Sequence, residues 1–162
     1  MCAGRHAYLM SIAVITDHIN LTGQNPLRGP NDDSLGPRFP DMHECYDPRL
    51  ILLAERIALE LGIGLRRAVY GWVSGPNLET AAEYRYIRAI GADMVGMSTV
   101  PEVIVARHMG LKVLGISGIT NATIADADSE EEANHEEVLV AGREMAPKLM
   151  ALVRGVLERL PD

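Results

Sequence analysis

Aromatic residues and cysteine are scarce in this chain. Only 4% of its 162 residues are aromatic, with Phe39 the lone phenylalanine and Trp72 the lone tryptophan. Two cysteines, Cys2 and Cys45, allow at most one disulfide and lack metal-ligand spacing, so the expectation is a reducing, cytoplasmic setting with no metal. Basic residues are outnumbered, 15 Lys and Arg against 22 Asp and Glu for a net charge of -7, and they do not cluster. That excludes binding to a nucleic-acid backbone, which needs a basic face. The apolar stretch at 7–15 contains Ser11 and is too short to span a bilayer, and no cleavage site follows it; neither membrane insertion nor export is expected. There is also no Walker A sequence, no G-x-G-x-x-G, no G-x-S-x-G and no paired CxxC. The acidic run DADSEEEANHEE lacks glycine at the sixth position of a calcium loop and reads better as a helix start.

What remains is a globular composition, 48% hydrophobic and 23% charged, at one domain's length. The IAVI core of residues 11–19 suits a buried strand ending in Thr16, Asp17 and His18. Residues 20–40 carry four prolines and repeated glycines, which excludes regular structure, and loops of that length usually serve a site. Leu50, Leu53, Ile57 and Leu61 at helical spacing predict a helix over 48–61, stopped by Gly62.

Three strand-turn-helix units follow that loop. A strand over 67–73 is broken by Ser74, Gly75 and Pro76, after which Asn77 is expected to cap a helix to residue 90 with Gly91 as its left-handed exit. Next come a strand over 93–98 and a helix over 101–108 closed by Gly110, with Ser98 and Thr99 as capping hydroxyls ahead of Pro101. A fourth strand spans 112–120. Ser129 and Glu132 form a capping box for a last helix whose apolar stripe is Val138, Met145, Leu149, Leu152, Val156 and Leu160, bent at Pro147. The alternation implies an α/β fold with a mostly parallel or mixed sheet flanked by helices.

Glu79, Ser98 and Thr120-Asn121 each follow a strand, and their convergence would join a carboxylate, an anion-binding turn and an amide in one heterocycle pocket. Each has a plainer account taken alone: Glu79 favours a positive helix end, Ser98 caps, and Asn121 holds a turn. His135, beside Glu136 and Glu137, reads equally as a solvated histidine, and His6, His18, His43 and His108 carry no specific signal.

Four segments carry a denser signal: DHINLTGQNPLRGPND at 17–32, SGPNLETAAEYR at 74–85, GADMVGMSTVPEVIVARHMGLKVLGISGITN at 91–121 and EEANHEEVL at 131–139. Through them the chain resembles the C-terminal portion of trimeric purine nucleoside phosphorylases. The likeness runs from about residue 12 to 160, whereas residues 1–11 do not fit the family, so 1–162 reads as a single partial α/β domain with an atypical start. The family's N-terminal half, with its glycine-rich phosphate turn, is not matched.

The resemblance implies roles residue by residue. Asn121 and Glu79 hold the purine as catalytic groups, and Gly75, Leu78, Val95 and Met97 line the base pocket. Tyr70 and the Met97 backbone lie near the ribose hydroxyls, His135 at the 5'-hydroxyl with Val138 beside the substrate, and Phe39 over a neighbouring subunit's ribose. Ser98 contacts phosphate, which is a co-substrate; no cofactor is implied. The family assembles as a homotrimer. Asn121 rather than aspartate points to 6-oxopurine nucleosides. The resemblance leaves two alternatives, a non-catalytic purine-binding remnant and a 5'-methylthioadenosine phosphorylase relative, the latter disfavoured by both His135 and Asn121.

Overall fold

A computed structural model describes residues 11–120 and 135–160, the side chains of 135–138 excepted. Its elements alternate as expected: β1 (Ser11–Asn20), α1 (Pro48–Glu60), β2 (Leu65–Trp72), α2 (Ala81–Ala89), β3 (Met94–Gly96), α3 (Val100–His108), β4 (Gly115–Ile119) and α4 (His135–Leu157). The four strands form one mixed sheet in the order β3-β2-β1-β4. β2 is parallel to both β1 and β3, while β4 runs antiparallel to β1.

β1 is an interior strand whose apolar run is covered on both faces; residues 12–15 are all buried. An irregularity between Ile15 and Asp17 shifts its register against β2, and beyond it the strand turns polar. Ile12 packs with Ala54, Ile57 and Ala58 of α1 and with Leu152 and Val156 of α4. A second cluster joins Val14 and Ile15 to Tyr46, Tyr70, Trp72 and Val100. The helices α1 and α4 approach closely at Gly155, where a Cβ would lie 2.7 Å from Ile57 Cγ2. Pro147 lies inside α4.

The long segment between β1 and α1 has neither helix nor strand, as its prolines require. Side chains fasten it instead. Arg38 donates to the carbonyls of Leu27 and Gly29, and Arg28 to that of Gly23. Asn31 Nδ2 donates to the Gly36 carbonyl, leaving Asn31 Oδ1 to accept from Nε2 of buried His108, 3.2 Å away. Gly36 is required at that crossing, since a Cβ would strike the His108 carbonyl.

Three local expectations are corrected. Asn77 does not cap α2: its side chain donates to the Leu78 carbonyl, and Thr80 forms a capping box with Glu83. Neither Ser98 nor Thr99 caps α3 through its side chain; Thr99 occupies the N-cap position at φ 75° with no side-chain cap hydrogen bond. The third and fourth strands are shorter than their apolar runs, because pairing, not hydrophobicity, sets strand length. The Ser129–Glu132 capping box lies outside the described residues.

Candidate functional site at the carboxyl ends of two parallel strands

Parallel pairing brings the carboxyl ends of β2 and β3 side by side. Trp72 faces Gly96 across the ladder, and the Val73 amide donates to the Gly96 carbonyl at 3.0 Å. Two turns leave this edge, one at 74–80 and one at 97–99. They touch where Gly75, at φ +60°, lies under the Met97 thioether; a Cβ on Gly75 would collide with the Met97 sulfur. Gly96 is equally constrained, for a Cβ there would overlap the Tyr70 hydroxyl. That hydroxyl accepts the Ser98 amide at 3.4 Å. Gly75, Tyr70, Met97 and Ser98 are therefore in one continuous contact network.

The surface they offer is apolar with polar edges. Met97 and Leu78 are exposed, Val95 and Glu79 half-buried, and Ser98 exposed beside Thr99, whose hydroxyl lies 3.3 Å from its own. Glu79 immediately precedes Thr80, the N-cap of α2. An apolar shelf beside a carboxylate and an N-terminal helix turn suits a flat heterocycle with adjacent donors and an anionic group nearby.

The expected meeting of three strand ends is realised for two. β4 runs the other way, so Ile119 pairs beside Ser11 at the amino end of β1, away from the β2 and β3 termini. Strand direction is not written in an apolar run, and the mixed sheet expected from the alternation of elements left the direction of this strand open. Asn121 lies outside the described residues, as do the side chains of His135 and Val138 at the start of α4. Phe39 stands apart from the turn pair. It is 88% exposed, its ring 5.7 Å from the Arg38 guanidinium, on the rim of a groove of about 590 Å³ whose wall includes His18, Asn20 and Ile104.

One polar cluster escaped the sequence reading. His18 Nδ1 lies 3.2 Å from the Tyr46 hydroxyl and 3.9 Å from the Cys45 sulfur, with the His18 and Tyr46 rings edge to face. Burial holds the His18 imidazole below its ordinary pKa, with Asp17 partly opposing. Burial likewise pushes the Cys45 thiol and the Tyr46 phenol up. All three groups are held neutral near pH 7, the reverse of an activated nucleophile. The only hint in the sequence was a polar Asp-His pair ending an otherwise buried strand. Among the described residues no group of three or more His, Cys, Asp or Glu side chains is placed to hold a metal ion. No described helix is long and apolar enough to cross a membrane.

Comparison with known proteins converges on one family. A profile described as the Phosphorylase superfamily matches residues 4–158. The chain is 50% identical over 155 residues to purine nucleoside phosphorylase of Bos taurus, covering 93% of this chain and 54% of that protein. It is 48% identical over 146 residues to purine nucleoside phosphorylase 1 of Bacillus subtilis, covering 90% and 53%. Its fold is similar to Schistosoma mansoni purine nucleoside phosphorylase in complex with inosine, with a TM-score of 0.94 and 39% identity over 98% of this chain and 58% of that one. The chain spans about half the length of the curated relatives it matches.

Proposed function

The chain belongs to the phosphorylase superfamily, and from that premise we propose that it serves phosphate-dependent cleavage of the N-glycosidic bond of 6-oxopurine nucleosides, releasing free base and pentose 1-phosphate. The observation that carries the reading is the contact network of Gly75, Tyr70, Met97 and Ser98 at the β2–β3 edge. It puts an apolar shelf for a base and a hydroxyl-bearing helix entry for an anion within one short stretch of surface.

In this mechanism the bond from C1' to the purine nitrogen breaks as phosphate oxygen bonds to C1'. Positive charge grows on the sugar and the departing electron pair moves onto the base. The protein's task is to stabilise that leaving group. Glu79 accepts from ring NH or amino donors on one edge of the base, and the donation to N7 and the 6-oxo group that the family resemblance gives to Asn121 requires the chain beyond β4 to bring that amide from the amino end of β1 to the β2–β3 edge. Leu78, Val95 and Met97 cover the base, His135 and Val138 lie at the 5' end of the sugar, and Ser98 contacts phosphate. Removing one donor that stabilises developing charge costs about 2.7 to 4 kcal/mol, or roughly 10²- to 10³-fold in kcat. Asn121→Ala should therefore lose about that much turnover of inosine while retaining base binding through Glu79.

Phe39 completes the proposal. Family resemblance puts this position over a neighbouring subunit's ribose, and the ring, 88% exposed on a side-chain-stapled loop, is free to do so; we assign it to the ribose site of a neighbouring copy in a homotrimer. The test is an assay of the purified chain with inosine, following hypoxanthine and ribose 1-phosphate. Product formed only when phosphate is present supports the proposal. Hypoxanthine bound tightly with no product at any phosphate concentration overturns it in favour of a purine-binding module. Preference for methylthioadenosine over inosine would reassign the substrate.

A further inference from the structure

Tyr70 is an awkward residue for the sugar contact that family resemblance gives it. It is only 4% exposed, and its hydroxyl is seated where a Cβ on Gly96 would fall, facing the Ser98 amide at 3.4 Å. Immediately beyond, the Val100 amide donates to the Ser98 carbonyl at 2.8 Å across a single residue, Thr99, held at φ 75°, ψ -53°. That is a γ-turn of the rare positive-φ kind, and for a β-branched residue it is strained. Such a turn persists only when its surroundings over-determine it. Here Val100 is fully buried on one side and the Tyr70 oxygen fixes Ser98 on the other.

We propose that Tyr70 is a positioning residue: its buried hydroxyl, by accepting the Ser98 amide, locks the Thr99 turn and so fixes the Ser98 hydroxyl for phosphate. The inference rests on Ser98 as a phosphate contact. Phenylalanine at 70 would keep the ring's packing but leave the Ser98 amide without its acceptor, so the turn loses that restraint.

Two measurements on Tyr70→Phe test it. In steady-state kinetics the KM for phosphate rises about three- to tenfold, the range one hydrogen bond spans, while the KM for inosine moves by less than about twofold. A residue that touched the sugar would instead move the inosine constant and spare phosphate, and that result overturns the proposal. Amide hydrogen exchange gives a readout independent of turnover: exchange at Ser98 and Val100 accelerates in Tyr70→Phe and stays at parent rates in Tyr86→Phe, which loses an exposed tyrosine hydroxyl on α2. Unchanged exchange at both amides in Tyr70→Phe overturns the proposal. If the parent chain shows no phosphate-dependent turnover, the proposed function fails, and the exchange comparison still decides the part played by Tyr70.

Discussion

At the residue scale, two side chains hold conformations or charge states with measurable consequences. Thr99 carries backbone strain of about 1–3 kcal/mol that glycine would not. Thr99→Gly relieves it but adds about 0.5–1 kcal/mol of unfolded-chain entropy, so a net stabilisation of about 1 kcal/mol is expected in urea unfolding. Destabilisation would show that the Thr99 methyl and hydroxyl contribute more than the strain costs. His18 has its folded-state pKa below the ordinary 6.5 because burial disfavours the imidazolium. The unfolded chain therefore binds the proton more readily, and stability falls as pH drops through 6.5 toward the folded value, then levels off. The groups around it, Asp17, Cys45 and Tyr46, include one carboxylate, which softens this dependence without reversing its sign. His18→Asn should flatten the loss of melting temperature between pH 7 and pH 5; an unchanged slope would place the titration elsewhere. Glu79 and Ser98 stood out in the sequence because each follows an apolar run near a helix start, whereas Gly75 and Met97 entered the candidate site only through the family resemblance. The His18–Tyr46 contact was not, since it joins residues 28 apart through a loop with no periodicity.

At the element scale, the sequence specified which segments are helices and strands and was weakest at their ends. Asp47 caps α1, accepting from the amides of Arg49 and Leu50, ahead of Pro48 at the first turn. Thr80 rather than Asn77 starts α2, because only Thr80 has a glutamate three residues on to return the hydrogen bond. The direction of β4 was illegible for a different reason. Alternation of strand and helix predicts a parallel crossover through α3, yet β4 pairs antiparallel to β1, and nothing in the short segment between α3 and β4 announces the reversal. Packing between helices gives the prediction at this scale. Gly155→Ala places a methyl 2.7 Å from Ile57 Cγ2 in a site with no room, so a loss of about 1–3 kcal/mol is expected. Combining it with Ile57→Ala removes the clashing atom, and the double variant should be more stable than the two single losses added together. Strict additivity in denaturant titrations would mean α1 and α4 adjust freely at this crossing.

At the scale of the whole molecule, the exposed Phe39 ring and the base shelf at the β2–β3 edge are separate features of one chain, and the proposed assembly brings them together between copies. The sequence made Phe39 prominent because it is the lone phenylalanine, yet which copy's sugar it covers depends on a symmetry no single-chain pattern encodes. Mixing variants separates the two arrangements. Phe39→Ala lacks the ring and Asn121→Ala lacks the leaving-group donor, so homotrimers of either are crippled at every site. When the two are unfolded, mixed in equal amounts and refolded together, a site that takes Asn121 from one copy and Phe39 from its neighbour is intact whenever the two copies come from different parents in the right order. Random assembly then restores about a quarter of the sites, and phosphate-dependent hypoxanthine release should rise toward that fraction of the parent rate. If both residues serve a site within one copy, no mixed assembly contains an intact site and activity stays at the level of the separate variants. Light scattering on the same mixtures, read as the mass of a trimer, ties any recovery to assembly; recovery in a monomer would overturn the role of Phe39 across the interface.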